Sequence, residues 1–170
     1  MNAVMLRRSV RKFNQEKTID YKLLVELCKA GEAAPSARNQ KGREYIIIDD
    51  KETIKKLSLV SKGALVMENC QAAIAVIGND PEKMISANMQ TQDLSCSVEN
   101  VLIEATRMGI GSCYIGIYPI DERVEKSNEV LGIKDNKFTF ALIALGYPQD
   151  ENAFYEKEDF DEKLIHHNRY

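Results

Sequence analysis

The strongest constraint on the fold of this chain comes from residues 87–108. Leu94, Val98, Val101, Leu102, Ala105 and Met108 recur there at three- and four-residue spacings, the signature of one long amphipathic helix. The apolar stripe is wide, which predicts a helix buried centrally or at a subunit contact. Shorter elements surround it. Asp20 is placed to cap a helix over residues 21–30, with Gly31 ending it, and Asp50 to cap one carrying Ile54, Leu57 and Val60. Asp121 is placed to cap a third helix through Leu131, stopped by Gly132. Strands are expected over residues 44–49, 71–78, 112–116 and 138–145. Helices and strands alternate, and that alternation alone predicts an open parallel sheet.

At 170 residues the chain has the length of one domain, spanning residues 1–170, with enough material for a sizeable core. Its net charge of −3 gives no general attraction to nucleic acid or to an anionic membrane. The longest apolar runs, 72–77 and 140–145, are six residues each, against the roughly 20 that a membrane helix needs. The N-terminus lacks the order of a secretory signal, because its charges follow its apolar residues. The four cysteines, Cys28, Cys70, Cys96 and Cys113, form no CxxC pair, and only His166 and His167 could join them around zinc. Three of them sit among apolar or small residues, which predicts free, mostly buried thiols in a reducing cytoplasm.

Three segments carry chemistry. Arg7, Arg8, Arg11 and Lys12 surround Ser9 within six residues of an acidic protein. Guanidinium forks fit phosphate, so this segment reads either as a phosphate pocket or as a solvated helix end with favourable cations. The segment from Ala33 to Gln40 combines a stiff Pro35 with small residues and the donors Ser36, Arg38 and Asn39. It reads either as a ligand-approach loop or as an ordinary polar connection. Gly109-Ile110-Gly111-Ser112-Cys113-Tyr114-Ile115-Gly116 lacks the third glycine of a dinucleotide fingerprint and runs helix to strand. Its glycines read either as openings for backbone N–H groups towards a ligand edge or as a helix end followed by a turn. A serine or cysteine triad has few candidates, since both histidines lie near the C-terminal end.

Taken in order, these segments resemble the nitroreductase family of FMN-dependent oxidoreductases. The resemblance is carried by Arg7-Arg8-Ser9-Val10-Arg11-Lys12-Phe13, Ala34-Pro35-Ser36-Ala37-Arg38-Asn39, the stretch from Asp93 to Asn100 leading into the glycine segment, Ala144-Leu145-Gly146-Tyr147-Pro148 and His167-Asn168-Arg169-Tyr170. It implies an α+β fold with a central, mostly antiparallel sheet flanked by helices, in place of a parallel one. It also implies an intertwined homodimer with FMN at the interface, NADH or NADPH as hydride donor, and a nitroaromatic, quinone or related small acceptor. On this resemblance Arg7, Ser9 and Arg11 would hold the phosphate and ribityl chain, with Arg8 close by and Arg169 joining from the tail. Pro35, Ser36 and Asn39 would come from the other subunit. Ile115 and Gly116 would lie at the isoalloxazine edge, the Gly116 N–H donating to flavin N5. Asp93 and Asn100 would be structural. A flavin-binding module without turnover is the alternative.

The chain departs from that pattern after Asn39. The family often continues x-Gln-Pro-Trp, whereas this chain has Gln40-Lys41-Gly42-Arg43 and no tryptophan. Its short length predicts an open pocket, or one covered only by a partner subunit. Arg38 and Lys41 add positive charge beside the loop, which would favour an anionic substrate or the phosphates of NADPH.

Overall fold

The computed structural model describes residues 2–170. Its helices are α1 (Ala3–Leu6), α2 (Tyr21–Glu32), α3 (Lys51–Ser58), α4 (Gln90–Arg107) and α5 (Asp121–Leu131). Its strands are β1 (Arg43–Ile48), β2 (Ala72–Gly78), β3 (Gly111–Gly116) and β4 (Phe138–Gly146). The strands form one sheet in the order β1-β2-β4-β3, and every neighbouring pair is antiparallel. The expectation of a parallel sheet from alternation alone is therefore wrong, and the α+β architecture is the correct one. The physical reason lies in the connections. Ile48 pairs with Ala73, so α3 and the 3-10 run Lys62–Asn69 go out and return to the same end of the sheet. Only α4 traverses the sheet. It joins β2 to β3, which run in the same direction, and β4 inserts between them.

Period-two alternation sorts each strand onto two faces. Ala73, Ala75 and Ile77 of β2, with Leu142 and Ala144 of β4, pack under α3 and the 3-10 run. Ala72, Ile74 and Val76, with Ala141, Ile143 and Leu145, pack under α2 and α4. The predicted stripe of α4 is buried at Leu94, Val98, Val101, Leu102 and Ala105. The helix proper starts at Gln90, because residues Ala87–Met89 form a separate 3-10 turn.

Local signals behave as their chemistry requires, with two corrections. Asp20 accepts from the Lys22 N–H at 2.8 Å, and Asp50 accepts from the Thr53 N–H at 2.7 Å. Gly31 does not end α2. It lies buried inside the helix, where a Cβ would stand 2.8 Å from the Tyr45 hydroxyl and 2.9 Å from Val101, so the missing side chain lets β1 and α4 close on α2. Asp121 is the first residue of α5 and not its cap. That position belongs to Ile120, which offers no side-chain bond. No helix among the described residues is long and apolar enough to cross a membrane.

Candidate functional site

The N-terminal cations converge. A short antiparallel contact of Phe13 with Pro148 and a parallel one of Ser9 with Ser112 lay residues 9–13 along the β3 and β4 ends of the sheet. The Val10 N–H donates to the Ser112 carbonyl at 2.9 Å. Gly111 makes this approach feasible, since a Cβ there would stand 2.8 Å from the Val10 side chain. This glycine therefore admits a neighbouring chain segment, not a ligand.

With the segment fixed, Arg7, Arg8, Ser9 and Arg11 line one cleft of about 420 Å³, joined by Tyr155 and Lys157. A contiguous cleft of about 440 Å³ shares Arg8, Ser9, Arg11 and Tyr155, and is also lined by Lys12 and Asp150. The sizes suit a small ligand. Arg8 is the most constrained member. Its guanidinium stacks 4.7 Å above the Tyr155 ring and donates to the Arg7 carbonyl at 2.6 Å, while its buried Nε has no acceptor among the described residues. An orphaned buried donor in a cationic cleft is satisfied by an incoming anion. Arg7 is half-buried and shares its charge with Glu99 of α4 at 3.0 Å. Arg11 is exposed and, among the described residues, donates only to the Ser9 carbonyl, at 3.2 Å, leaving most of its fork open. Its charge reaches the sheet edge. Burial pushes the Cys113 thiol up, and the Arg11 cation pulls it the other way.

Beside this cleft, β3 is the edge of the sheet. The Ser112 carbonyl points outward to Val10, and the Ile117 N–H points inward to Phe140. Alternation therefore turns the peptide groups of Tyr114 and Gly116 away from β4. The Gly116 carbonyl accepts from the Arg123 guanidinium at 3.0 Å, and its N–H faces the same open side. The Ile115 side chain is buried in the core and its peptide groups face Leu142 of β4, so Ile115 supports this edge from within and presents no polar group to it. Tyr114, whose ring a Cβ at Gly116 would meet at 3.5 Å, is exposed, as are Tyr118 and Ile120 just after the strand.

The second predicted segment lies elsewhere in the chain. Pro35, Ser36 and Asn39 sit on the α2–β1 loop, which is held by two buried anchors. Asp93 of α4 accepts from the Ala37 N–H at 2.9 Å and the Gln40 amide at 2.7 Å. Arg43 pairs with Glu32 at 3.1 Å and donates to the carbonyls of Glu32, Ala34 and Pro35. The Ser36 hydroxyl accepts from the Lys41 N–H at 3.0 Å, and Arg38, Asn39 and Lys41 all take left-handed φ angles of 51°, 53° and 47°. Asn100 is tied to the Ala30 carbonyl. Asp93 and Glu99, the anchors for this loop and for Arg7, are six residues apart on α4. That is about 9 Å along the axis and roughly 120° around it. A single chain thus brings together Arg7, Arg8, Ser9 and Arg11, and leaves Pro35, Ser36, Asn39 and Arg169 outside the cleft they line. Arg169 lies in an exposed tail.

Four contributors were not legible in advance: Tyr155, Lys157, Arg43 and Arg123. The missing tryptophan was the only hint, since Arg43 occupies its place. Cys96, expected among buried thiols, is exposed on α4.

The Nitroreductase family pattern matches residues 4–80 and 62–147. A relative from Archaeoglobus fulgidus, provisionally named an NADH dehydrogenase/NAD(P)H nitroreductase, is 34% identical over 100% of this chain and 98% of its own. Among solved structures, a provisionally named NADH oxidase from Clostridium acetobutylicum superposes with a TM-score of 0.91 and 37% identity, covering 99% of both chains. An FMN-dependent nitroreductase from Clostridium difficile gives a TM-score of 0.89 and 27% identity, again over 99% of both.

Proposed function

The chain belongs to the nitroreductase family, and from that premise we propose that it is an FMN-dependent oxidoreductase. It takes hydride from NADH or NADPH and delivers electrons to a small acceptor of the nitroaromatic or quinone class. The observation that carries this reading is the convergence of Arg7, Arg8, Ser9 and Arg11 in one cleft beside a sheet edge with outward peptide groups. Bound FMN supplies the hydride-accepting and hydride-donating atom, N5.

The residues present fit that group. Arg11, with its open fork, and Arg8, with its unsatisfied Nε, bind the phosphate, and Ser9 adds a short donor. Arg7 contributes the part of its charge that Glu99 leaves unscreened. The Gly116 N–H donates to the ring edge, and Ile115, buried and paired with β4, supports that edge from within the sheet. No side chain need shuttle a proton, which suits a chain whose only histidines are His166 and His167.

Pro35, Ser36, Asn39 and Arg169 complete the site in a homodimer, the loop residues coming from the partner. Support comes from the tail, where Phe160, Leu164 and Ile165 are 68%, 72% and 67% exposed within their own chain. Such apolar side chains seek cover. Four free thiols suit a cytoplasmic setting.

The test is direct. Purified protein should carry or take up FMN, sediment as a dimer, and lose flavin absorbance with NADH or NADPH, regaining it on adding a quinone. Bound flavin that stays inert to both nicotinamides would make the protein a flavin-binding module. Failure to bind FMN at all would refute the reading.

A further inference from the structure

We infer that Arg123 is a positioning residue of the flavin edge, which anchors Gly116 and sets a permanent positive charge beside a ring that gains negative charge on reduction. This rests on the reading of Gly116 as the ring-edge donor.

The geometry is unusual for a surface arginine. Arg123 lies in the first turn of α5, where the helix dipole disfavours a cation. The first-turn acids Asp121 and Glu122 follow the dipole rule, and Arg123 opposes it. It is half-buried and makes no ion pair among the described residues. Its neighbour Glu122 pairs with Lys126 at 2.7 Å. Its fork instead reaches back to the Gly116 carbonyl at 3.0 Å. An unfavourable place on the helix is thus offset by one backbone contact, on the last residue of the edge strand.

That carbonyl belongs to the residue whose N–H faces the open side of β3. Exposed apolar side chains lie on and just after the edge strand. Tyr114, Tyr118 and Ile120 are 42%, 40% and 44% exposed, and a Cβ at Gly116 would meet only Tyr114, at 3.5 Å. An aromatic ring bound at this edge would meet largely apolar side chains, with the Arg123 guanidinium close to the Gly116 carbonyl. Accepting hydride brings two electrons and one proton, so the ring's charge falls by one unit. A nearby fixed cation therefore binds the reduced form more tightly than the oxidised form, and raises the potential.

The test compares wild type, R123Q and R123K by potentiometry of the bound FMN and by affinity for oxidised FMN. R123Q should lower the affinity for reduced relative to oxidised FMN about tenfold, roughly 30 mV for a two-electron couple. R123K, which keeps the charge, should retain most of the wild-type potential. A merely structural Arg123 would weaken both redox forms together and leave the midpoint unmoved, which would overturn the inference. Should R123Q fail to fold, R123H makes the charge switchable: its midpoint relative to wild type must rise as the pH falls through about 6.5. A flat difference there is equally fatal. Absence of FMN binding by wild type would refute the proposed function itself, whereas binding with an unmoved midpoint refutes Arg123 alone.

Discussion

Replacing Arg43 by methionine tests the least predictable element of the fold. The Arg43 side chain is 1% exposed, yet it carries a full charge. Its Nε meets Glu32 at 3.1 Å, and Nη2 donates to the Glu32 and Ala34 carbonyls at 2.6 and 2.5 Å. A fourth, longer bond of 3.4 Å runs from Nη1 to the Pro35 carbonyl. Arg43→Met keeps the aliphatic stem and deletes the head. Breaking a buried ion pair from one side costs about 3–5 kcal/mol. Glu32 escapes most of that penalty, because its side chain is already 44% exposed and rehydrates freely. The Ala34 carbonyl does not escape, since Ala34 is buried, and an orphaned buried acceptor costs about 1–3 kcal/mol. The balance is about 3 kcal/mol, or roughly 6–12 °C in Tm for a chain of this length. Urea and thermal unfolding measure it, at matched protein concentration because the stability of the proposed dimer would depend on it. Arg43→Lys should fall between the two, keeping the pair with Glu32 and losing the fork. A methionine variant within about 0.5 kcal/mol of wild type, the range of ordinary surface changes, would refute the argument that this guanidinium clamps the loop.

Further outcomes follow from the same structure. Arg11→Ala should weaken FMN binding about 10- to 150-fold in a flavin titration, the worth of one charge-assisted contact, and leave the melting temperature of the FMN-free protein nearly unchanged. Leu94→Ala, at a fully buried position on the core face of α4, should destabilise by about 2–5 kcal/mol in denaturant unfolding. Gly111→Ala should cost about 1–3 kcal/mol by pushing on Val10, and should lower FMN affinity because Val10 carries the cationic segment. Burial pushes Cys28 and Cys70 up to about 11 and raises Cys113, so these thiols stay neutral. At about pH 8, near the ordinary thiol range, a thiol reagent should modify no more than one cysteine per native chain, Cys96, and all four after unfolding.

Which parts were legible follows from the range of each interaction. The α4 stripe is written in periodicity and the strands in short apolar runs, β2 and β4 being buried on both faces. The cationic segment was legible as four charges crowded into six residues. Gly31 was misread because a helix stop and a close approach look identical in sequence, and only the placement of Tyr45 and Val101 separates them. Arg43 was invisible as an anchor because its acceptors are carbonyl groups, which every residue possesses. Tyr155 and Lys157 reach the cleft through tertiary packing from a tail with no pattern of its own.

Strand direction was the costliest omission, and it bears on the candidate site. Read as a βαβ unit, the path from β2 through α4 to β3 would place β3 against β2, inside a parallel sheet. The insertion of β4 between them moves β3 to the edge. Its side chains still read as a core strand, with Cys113 and Ile115 buried. Its alternate peptide groups, however, gain an open side, occupied at Ser112 by Val10 and at the Gly116 carbonyl by Arg123. The stretch left uncovered, from Tyr114 to the Gly116 N–H, is where a ligand can add hydrogen bonds without displacing the fold's own. Side-chain alternation encodes which residues are buried. It does not encode which peptide groups lack a neighbouring strand, because that depends on where a later segment of the chain is inserted.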